Sequence, residues 1–369
     1  MSDLRLQPVR FSELAGWAGD DHAAGFDAFA ISATPVLAGS ITRGGRLDAI
    51  QNDALLDACR QARARAQKGI SRREARGFFE RYFIPHRIVH GGPRGLLTGY
   101  FEPVVDGSRV QEGRFTVPLY RRPPDLENVV AETERSRAAV PFTHMRRTAQ
   151  GLAPFPSRAE IEAGALCGQG LEIMWLADPV DAFFAQVQGS LRLRLPDGSS
   201  VGLTYDGKNG HPYTSIGRLL IERGEIPAAE MSMARLGRWL RSDEARGRQT
   251  MQANASFAFF RETDGAGASS ALGCALSDGR SLAVDTAYHA LGLPVFVDAP
   301  GLLHWGQRRP FRRLMIAQDV GSAIRGPERG DIYFGSGDNA ERRAGVTKHR
   351  GNMLVLLPRV GRSRRGRIG

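Results

Sequence analysis

The sequence contains little cysteine and no long apolar run. Its 369 residues include three cysteines, Cys59, Cys167 and Cys274, and none of them belongs to a CxxC pair. This spacing argues against both a disulfide framework and a zinc site. No apolar stretch approaches the roughly 18–20 residues that a membrane span requires. The first 21 residues lack the apolar core of a signal peptide, and no nearby cysteine could accept a lipid.

Several motifs of well-known enzyme sites are also missing. The chain has no GxSxG nucleophile elbow and no glycine-rich phosphate loop. Its eight histidines occur in no recognisable context, and His211 and His349 stand alone, which favours structural or surface roles over metal ligation. The sequence therefore predicts neither a metal nor a cofactor. Carboxylates and hydroxyls remain as the groups that could carry chemistry.

Positive charge is the first feature that the sequence has in excess. The net charge is +11, and basic residues concentrate at 60–76 and in the tail 359–369, which holds five arginines. Such an excess suits an anionic partner: a nucleic acid, a membrane surface or an acidic polymer. Taken singly, each cluster is more typical of a solvated surface. No zinc finger, RNP pattern or GKS/GKT loop accompanies the charge.

Short β-prone segments follow a largely helical start. With 42% hydrophobic residues, the chain is long enough for two or three domains with sizeable cores. Residues 46–66 have helical apolar spacing, and Ser71 with Glu74 forms a capping box before a second helix. After residue 95, short strands and turns dominate, which predicts an α+β fold, mainly β and containing β-barrels.

Local patterns predict further elements in the second part of the chain. The stretch 189–205 alternates in polarity around Asp197 and Gly198, which indicates a β-hairpin. A polar stretch with prolines at both ends predicts an inserted loop at 121–150. Helices are predicted at 157–166, 178–189, 215–226 and 231–243.

Three aspartates occupy comparable points on β-prone segments. Asp285 ends SLAVD, Asp319 lies in AQDVG, and Asp331 begins DIYFG, with several glycines between the last two. Aspartate often ends a strand or forms an Asx-turn, so each residue taken alone is typical of structure. Together they suit cleavage of a glycosidic bond, because a carboxylic acid with a raised pKa can protonate the leaving oxygen. The glycines would let the backbone approach a sugar closely.

Ordered motifs between residues 90 and 358 resemble the membrane-bound lytic transglycosylase A family. They are LLTGYFEPVVDGSR, PLYRRPPD, PSRAEIEAGAL, DAFFAQVQGSLRLRLPDG, YDGKNGHPYTSIGRLLIERGEI, NASFAFFR and the three-aspartate (3D) segment. The resemblance implies a double-psi β-barrel domain, a second inserted β-barrel domain and a groove between them. The first domain would combine 1–103 with the 3D part at 246–358. The insert would cover 104–245, and 359–369 would be a basic tail.

The resemblance also implies an activity. Such enzymes are peptidoglycan lytic transglycosylases, carbon–oxygen lyases of the EC 4.2.2 type. They cleave the MurNAc-β-1,4-GlcNAc bond without water and leave 1,6-anhydro-MurNAc ends. Asp331 matches the family's catalytic acid, and Asp319 and Asp285 match its supporting carboxylates. The matched substrate-binding positions are Thr98, Tyr100, Gln188, Gly189, Ser190, Lys208 and Asn209.

The same resemblance implies a partner and a location. The partner would be peptidoglycan glycan strands and not nucleic acid, and the chain would act as a monomer. Murein lies in the periplasm, so we expect the protein there, with outer-membrane association, although the sequence shows neither a signal peptide nor a lipid-acceptor cysteine. The basic tail would contact anionic murein or a membrane surface.

Three other functions stay open at the level of sequence. A glycan-binding module without catalysis would bind murein and cleave no bond. A hydrolase would use Asp319 as base and Asp331 as acid, with about 6.5–9.5 Å between their carboxyl groups. A nucleic-acid binder, suggested by charge alone, would bind in a strongly salt-dependent way.

Overall fold

The structure, a computed structural model, describes residues 4–39, 52–130, 141–263, 267–304 and 309–359. Its strands and helices, numbered in chain order, belong to two compact units. Unit 1 comprises Met1–Thr98, Ser270–Tyr333 and Lys348–Gly369, and unit 2 comprises Gly99–Ser269 and Phe334–Thr347. Both units are rich in strands and carry helices, so the predicted class, α+β and mainly β, is confirmed.

The edges of the predicted insert differ from this division. Unit 2 extends to Ser269 rather than to residue 245, and it also includes Phe334–Thr347. The reason lies in strand pairing, since the strand Ala258–Thr263 pairs with the strand Ser200–Lys208 of the same unit. The basic tail is part of unit 1 through Arg359, and 360–369 lie outside the described residues.

Unit 1 is organised by a nine-stranded sheet. In spatial order, the strands are β1 (Arg5–Pro8), β2 (Phe83–Val89), β18 (Asn352–Pro358), β14 (Pro294–Ala299), β15 (Phe311–Asp319), β13 (Ser281–Val284), β16 (Arg329–Ser336), β3 (Leu96–Glu102) and β17 (Lys348–Arg350). The order begins at β1 and ends at β17, and no closed barrel is detected among the described residues. The boundary between the two units falls within β3 and within β16. The sheet therefore combines strands from the N-terminal and the C-terminal parts of the chain.

Among the described residues of unit 1, three α-helices lie between β1 and β2 in the sequence: α1 (His22–Leu37), α2 (Asn52–Ala66) and α3 (Arg72–Tyr82). The predicted capping box is present, because Ser71 accepts from the Glu74 amide and Glu74 accepts from the Ser71 amide. Buried phenylalanines join α1 to α3, as Phe26 meets Phe78 edge to face with 5.0 Å between ring centroids. The helix predicted at 46–66 is confirmed from residue 52, and 46–51 lie outside the described residues.

Unit 2 contains a six-stranded and a three-stranded sheet. The larger sheet has the order β12 (Ala258–Thr263), β11 (Ser200–Lys208), β10 (Ser190–Arg194), β4 (Val104–Ser108), β9 (Glu172–Leu176) and β5 (Val117–Tyr120). The smaller one comprises β6 (Leu126–Asn128), β7 (His144–Thr148) and β8 (Gly151–Ala153). The predicted hairpin is confirmed as β10 paired antiparallel with β11. The loop prediction for 121–150 is wrong where β6 and β7 pair, and 131–140 lie outside the described residues.

The helices of unit 2 mostly follow the sequence patterns. They are α4 (Arg158–Glu160), α5 (Pro179–Gln188), α6 (Ile216–Glu222), α7 (Met233–Arg241), α8 (Glu244–Gln252) and α9 (Asp338–Gly345). The helix predicted at 157–166 is only partly α-helical, because a π-helical turn, Ile161–Ala165, follows α4 and Gly164 adopts φ 104°. The helix α8 was not predicted, although Asp243 caps its first turn by accepting from the Arg246 amide.

Candidate active site

Two of the three aspartates flank the same residue of unit 1. In the sheet, β13 lies between β15 and β16. Ala283 of β13 is paired with Asp319 on one side and with Asp331 on the other. Because neighbouring strands lie about 4.8 Å apart, the two aspartate backbones are on the order of 10 Å apart. The fold thus brings together two carboxylates that are twelve positions apart in sequence.

Asp331 is held in a partly buried position with a perturbed carboxyl group. The Thr98 hydroxyl donates a hydrogen bond to Asp331 Oδ1. Burial raises the pKa of Asp331 to about 6, while the Arg329 charge and the Thr98 hydrogen bond act in the opposite direction. The charge of Asp319 adds a smaller upward contribution to that pKa. A carboxyl group with this pKa can exist in both protonation states near neutral pH.

Arg329 is a member of this group that the sequence analysis missed. Its Nη2 donates to the Thr98 hydroxyl oxygen at 2.8 Å, and its Nη1 donates to the Gly330 carbonyl at 2.6 Å. A longer bond, 3.4 Å, reaches the Leu96 carbonyl. Burial lowers the pKa of Arg329, whereas the Asp331 charge opposes that change. The missed signal was spacing, since Arg329 and Asp331 are two residues apart in a strand and so share a face.

The other two aspartates accept hydrogen bonds from backbone amides. Asp319 Oδ1 accepts from the Ala271 amide at 3.0 Å. Asp285 is only 2% exposed and accepts from the Ala287 and Gly326 amides at 3.0 and 2.8 Å. The second of these bonds fastens Asp285 to the segment between β15 and β16. Asp285 therefore shapes the loop that leads to Asp331.

The remaining candidate residues lie in unit 2. Gln188 Oε1 accepts from the Phe101 amide at 3.1 Å, and Gly189 ends α5 with φ 79°. Ser190 is buried where β10 begins. Tyr100 and Lys208 are also buried, at 7% and 8% exposure.

Asn209 has a structural role that its motif did not reveal. Its side chain is fully buried. Nδ2 donates to the carbonyls of Pro156 and Ala255, both at 2.9 Å, and Oδ1 accepts from the Phe257 amide at 2.9 Å. These three bonds occupy the amide, so Asn209 ties β11 to the segments before α4 and β12.

Across the described ranges, no group of three or more His, Cys, Asp or Glu side chains has a geometry suited to a metal ion. Within those ranges no helix has both the length and the apolarity needed to cross a membrane.

Sequence comparison identifies two domains of a known family. Residues 96–261 match the MltA specific insert domain, and residues 280–357 match the 3D domain. The membrane-bound lytic murein transglycosylase A of Escherichia coli K12 is 35% identical over 269 residues. That alignment covers 72% of this chain and 66%, just under two thirds, of the relative.

Structural comparison covers more of the chain. A crystal structure of membrane-bound lytic murein transglycosylase from Agrobacterium tumefaciens matches with a TM-score of 0.86 and 36% identity. The match covers 96% of this chain and 97% of that one. E. coli MltA with bound chitohexaose matches with a TM-score of 0.68 and 28% identity, over 97% and 95% of the two chains. The chain therefore belongs to the membrane-bound lytic murein transglycosylase A family.

Proposed function

We propose that this protein is a peptidoglycan lytic transglycosylase. It cleaves the MurNAc-β-1,4-GlcNAc bond without water and releases 1,6-anhydro-MurNAc ends during murein turnover. Family membership supports the reaction class, and the relative crystallised with chitohexaose supports a β-1,4-linked glycan as the ligand. The observation that carries the proposal is Asp331, a partly buried carboxyl group with a pKa of about 6 and a hydrogen bond from Thr98.

A single carboxyl group is sufficient for this reaction. Protonated Asp331 gives its proton to the glycosidic oxygen as the C1–O bond breaks, and GlcNAc leaves as an alcohol. The C6 hydroxyl of the same MurNAc then bonds to C1 and gives its proton to the Asp331 carboxylate. The acid is thereby regenerated and no water is consumed. Intramolecular attack also avoids the entropy cost of recruiting a separate nucleophile, which an ordinary glycosidase meets with a second carboxylate.

The other two aspartates support this residue. Asp319 raises the pKa of Asp331 through its negative charge, which favours the acid form. Asp285 positions the segment before β16 through its bond to the Gly326 amide. These roles give the three aspartates unequal importance, with Asp331 alone in contact with the reacting atoms.

Residues of unit 2 are a second group of proposed glycan contacts. Tyr100, Gln188, Gly189, Ser190 and Lys208 would contact the glycan or its peptide stems, with Asn209 holding the backbone beside Lys208. The lysine charge would balance stem carboxylates. Their support is the match to the family's motifs, together with the position of Gln188 at the end of α5 and of Lys208 at the end of β11. The substrate would place the protein in the periplasm. The E. coli relative is named as membrane-bound, which supports an association with a membrane, and we propose the outer membrane.

A hydrolase is the second candidate, because Asp319 and Asp331 flank one alanine. The resulting backbone separation, on the order of 10 Å, is compatible with an acid and a base that have a water molecule between them. The hydrolase would release reducing ends, whereas the lytic reaction gives products that are one water lighter. Product chemistry therefore separates the two candidates.

The test is mass spectrometry of murein digested with the wild type and with Asp331→Asn. We expect 1,6-anhydro ends from the wild type and at least a 1,000-fold slower release from the variant, because amides cannot supply the proton. Asp27→Asn, an exposed change on α1, is the matched control and should cleave normally. Reducing ends would move the assignment to the hydrolase, with Asp319→Asn as the next variant. Binding without cleavage by the wild type would instead identify a glycan-binding module.

A further inference from the structure

Arg329, Thr98 and Asp331 form a linear chain of hydrogen bonds in unit 1. Arg329 donates to the Thr98 hydroxyl oxygen at 2.8 Å, and the same hydroxyl donates to Asp331 Oδ1. Arg329 is itself fixed by its bonds to the Gly330 and Leu96 carbonyls. These three hydrogen bonds hold the guanidinium beside Thr98.

The direction of this chain follows from which groups can donate. A guanidinium has donors only, so the Thr98 oxygen must accept from Arg329. A hydroxyl has one proton, and among the described residues its one acceptor is Asp331 Oδ1. Oδ1 thus receives a hydrogen bond whether Asp331 is neutral or charged. The transferable proton of the neutral acid is then left to Oδ2.

We infer that Arg329 is a positioning residue that acts through Thr98. It fixes the Thr98 hydroxyl as a donor to Oδ1 and so keeps the exchangeable proton of Asp331 on Oδ2. The inference rests on the proposed function, since Oδ2 would be the atom that protonates the glycosidic oxygen and later receives the C6 hydroxyl proton. Without Arg329, the Thr98 hydroxyl can rotate, and the proton can move to the unproductive oxygen.

The charge of Arg329 has a second effect on the same carboxyl group. A nearby cation favours the carboxylate, which Asp331 must become when the leaving group has departed. Two charged groups act on Asp331: Arg329 on its own strand, which lowers its pKa, and Asp319 on β15, which raises it. On β17, the strand that neighbours β3, the exposed Lys348 is paired with Thr98. Removal of the Arg329 charge should therefore raise the pKa of Asp331 and, with it, the pH above which activity falls.

The experiment compares Arg329→Met, Arg329→Lys, Thr98→Val, Thr98→Ser and the Met/Val double variant on soluble glycan strands. We expect Arg329→Met and Thr98→Val each to lower kcat roughly tenfold or more, with little change in KM, because each removes a hydrogen bond in a chain that ends on a charged group. In both variants the alkaline limb of the pH–rate profile should move upward, since a lost cation or donor raises the pKa of a carboxyl group. Arg329→Lys should largely return the alkaline limb of the profile to its wild-type pH. Thr98→Ser should return kcat to near the wild-type value.

The double variant tests whether Arg329 acts through Thr98. If it does, the double variant should lose about as much activity as the worse single variant. The rates are compared on the acidic plateau of each pH–rate profile, where a shift in the pKa of Asp331 has no effect. Multiplied losses there would show independent roles and overturn the inference. An unchanged alkaline limb in Arg329→Met would overturn it as well.

A carboxyl NMR titration gives a readout that does not depend on turnover. The pKa of Asp331 should be higher in Arg329→Met and in Thr98→Val than in the wild type. An unchanged pKa in both would refute the inference even if activity fell. If Arg329→Met fails to fold, Arg329→Gln, which is uncharged and polar, carries the same comparison. Failure of the proposed function is distinguishable, because the wild type itself would then form no 1,6-anhydro product.

Discussion

At the scale of single residues, Asp331 illustrates a balance between burial and charge. Burial raises the pKa of its carboxyl group, while Arg329 and Thr98 restrain that rise, so that the pKa is about 6. Stronger burial alone would raise the pKa further and weaken Asp331 as an acid, and stronger pairing alone would lower the pKa and weaken it as a base. The intermediate value suits a residue that must perform both tasks in one reaction.

This balance predicts activity that falls as pH rises above about 6. The raised pKa means that the acid form predominates below it, and at pH 7 only about one molecule in ten carries the proton. We therefore expect the rate of 1,6-anhydro product release to fall about tenfold for each unit well above the pKa. The measurement is initial rate between pH 4 and 8, with murein pelleting to show that binding persists. A constant rate from pH 5 to 8 would exclude Asp331 as the titrating acid.

The sequence was informative about the residues that carry chemistry and less so about those that orient them. Asp331 and Thr98 were identified through motifs, and the structure places them in contact. Arg329 was missed because an arginine among so many basic residues gives no signal of its own. Asn209 was assigned to the substrate, yet its three hydrogen bonds join segments that are distant in sequence. No local pattern reveals such a tertiary network.

At the scale of elements, local chemistry predicted most helix starts. The capping box predicted at Ser71 is present, and Ser157 and Asp178 cap α4 and α5 by accepting from backbone amides. Helix ends were predicted less accurately. The helix predicted at 215–226 ends at Glu222, two residues before Gly224, which has φ 72°. The strands β6 and β7 were missed because each is short and pairs through the smaller sheet. Pairing partners, rather than propensity, decide such segments.

Strand β3 contains a glycine whose place in the packing predicts a stability change. A Cβ on Gly99 would lie 2.6 Å from Phe334 Cε2 and 2.8 Å from Ala344 Cα, and the second of these is backbone. Gly99→Ala should therefore lower the free energy of unfolding by about 1–3 kcal/mol. Thermal unfolding followed by circular dichroism measures this change.

The matched control is Gly77→Ala in α3. A Cβ there meets no atom within 4 Å, and alanine favours a helix over glycine by roughly 1 kcal/mol. This variant should unfold at the same or a higher temperature than the wild type. Equal destabilisation by both substitutions would show that close packing at Gly99 is not the cause.

At the scale of the whole molecule, the two compact units do not correspond to two continuous stretches of sequence. Unit 1 is assembled from three separate stretches and unit 2 from two. A boundary within a continuous strand leaves no change of composition, so the boundaries at Thr98 and Tyr333 give no signal in the sequence. The groove that the family resemblance implies stays a prediction.

Net charge is a whole-molecule property with a testable consequence for substrate binding. The chain carries +11, and residues 360–369 contribute four arginines and no acidic residue, so truncation after Arg359 leaves +7. Arg359 itself is retained because it contacts the Glu80 and Phe83 carbonyls. We expect the truncated protein to pellet with murein less completely at low salt, and the difference to shrink as salt screens the charges.

A full-length variant with those four arginines replaced by glutamine separates charge from chain length. It should behave like the truncated protein, because the expected attraction is between arginines and murein carboxylates. Binding to uncharged chitin strands should be equal for all three proteins, since no carboxylate is present. Undiminished murein pelleting by the truncated protein would exclude the tail as a binding element. In that event the exposed basic residues of α2 and α3 would be the next positive surface to test.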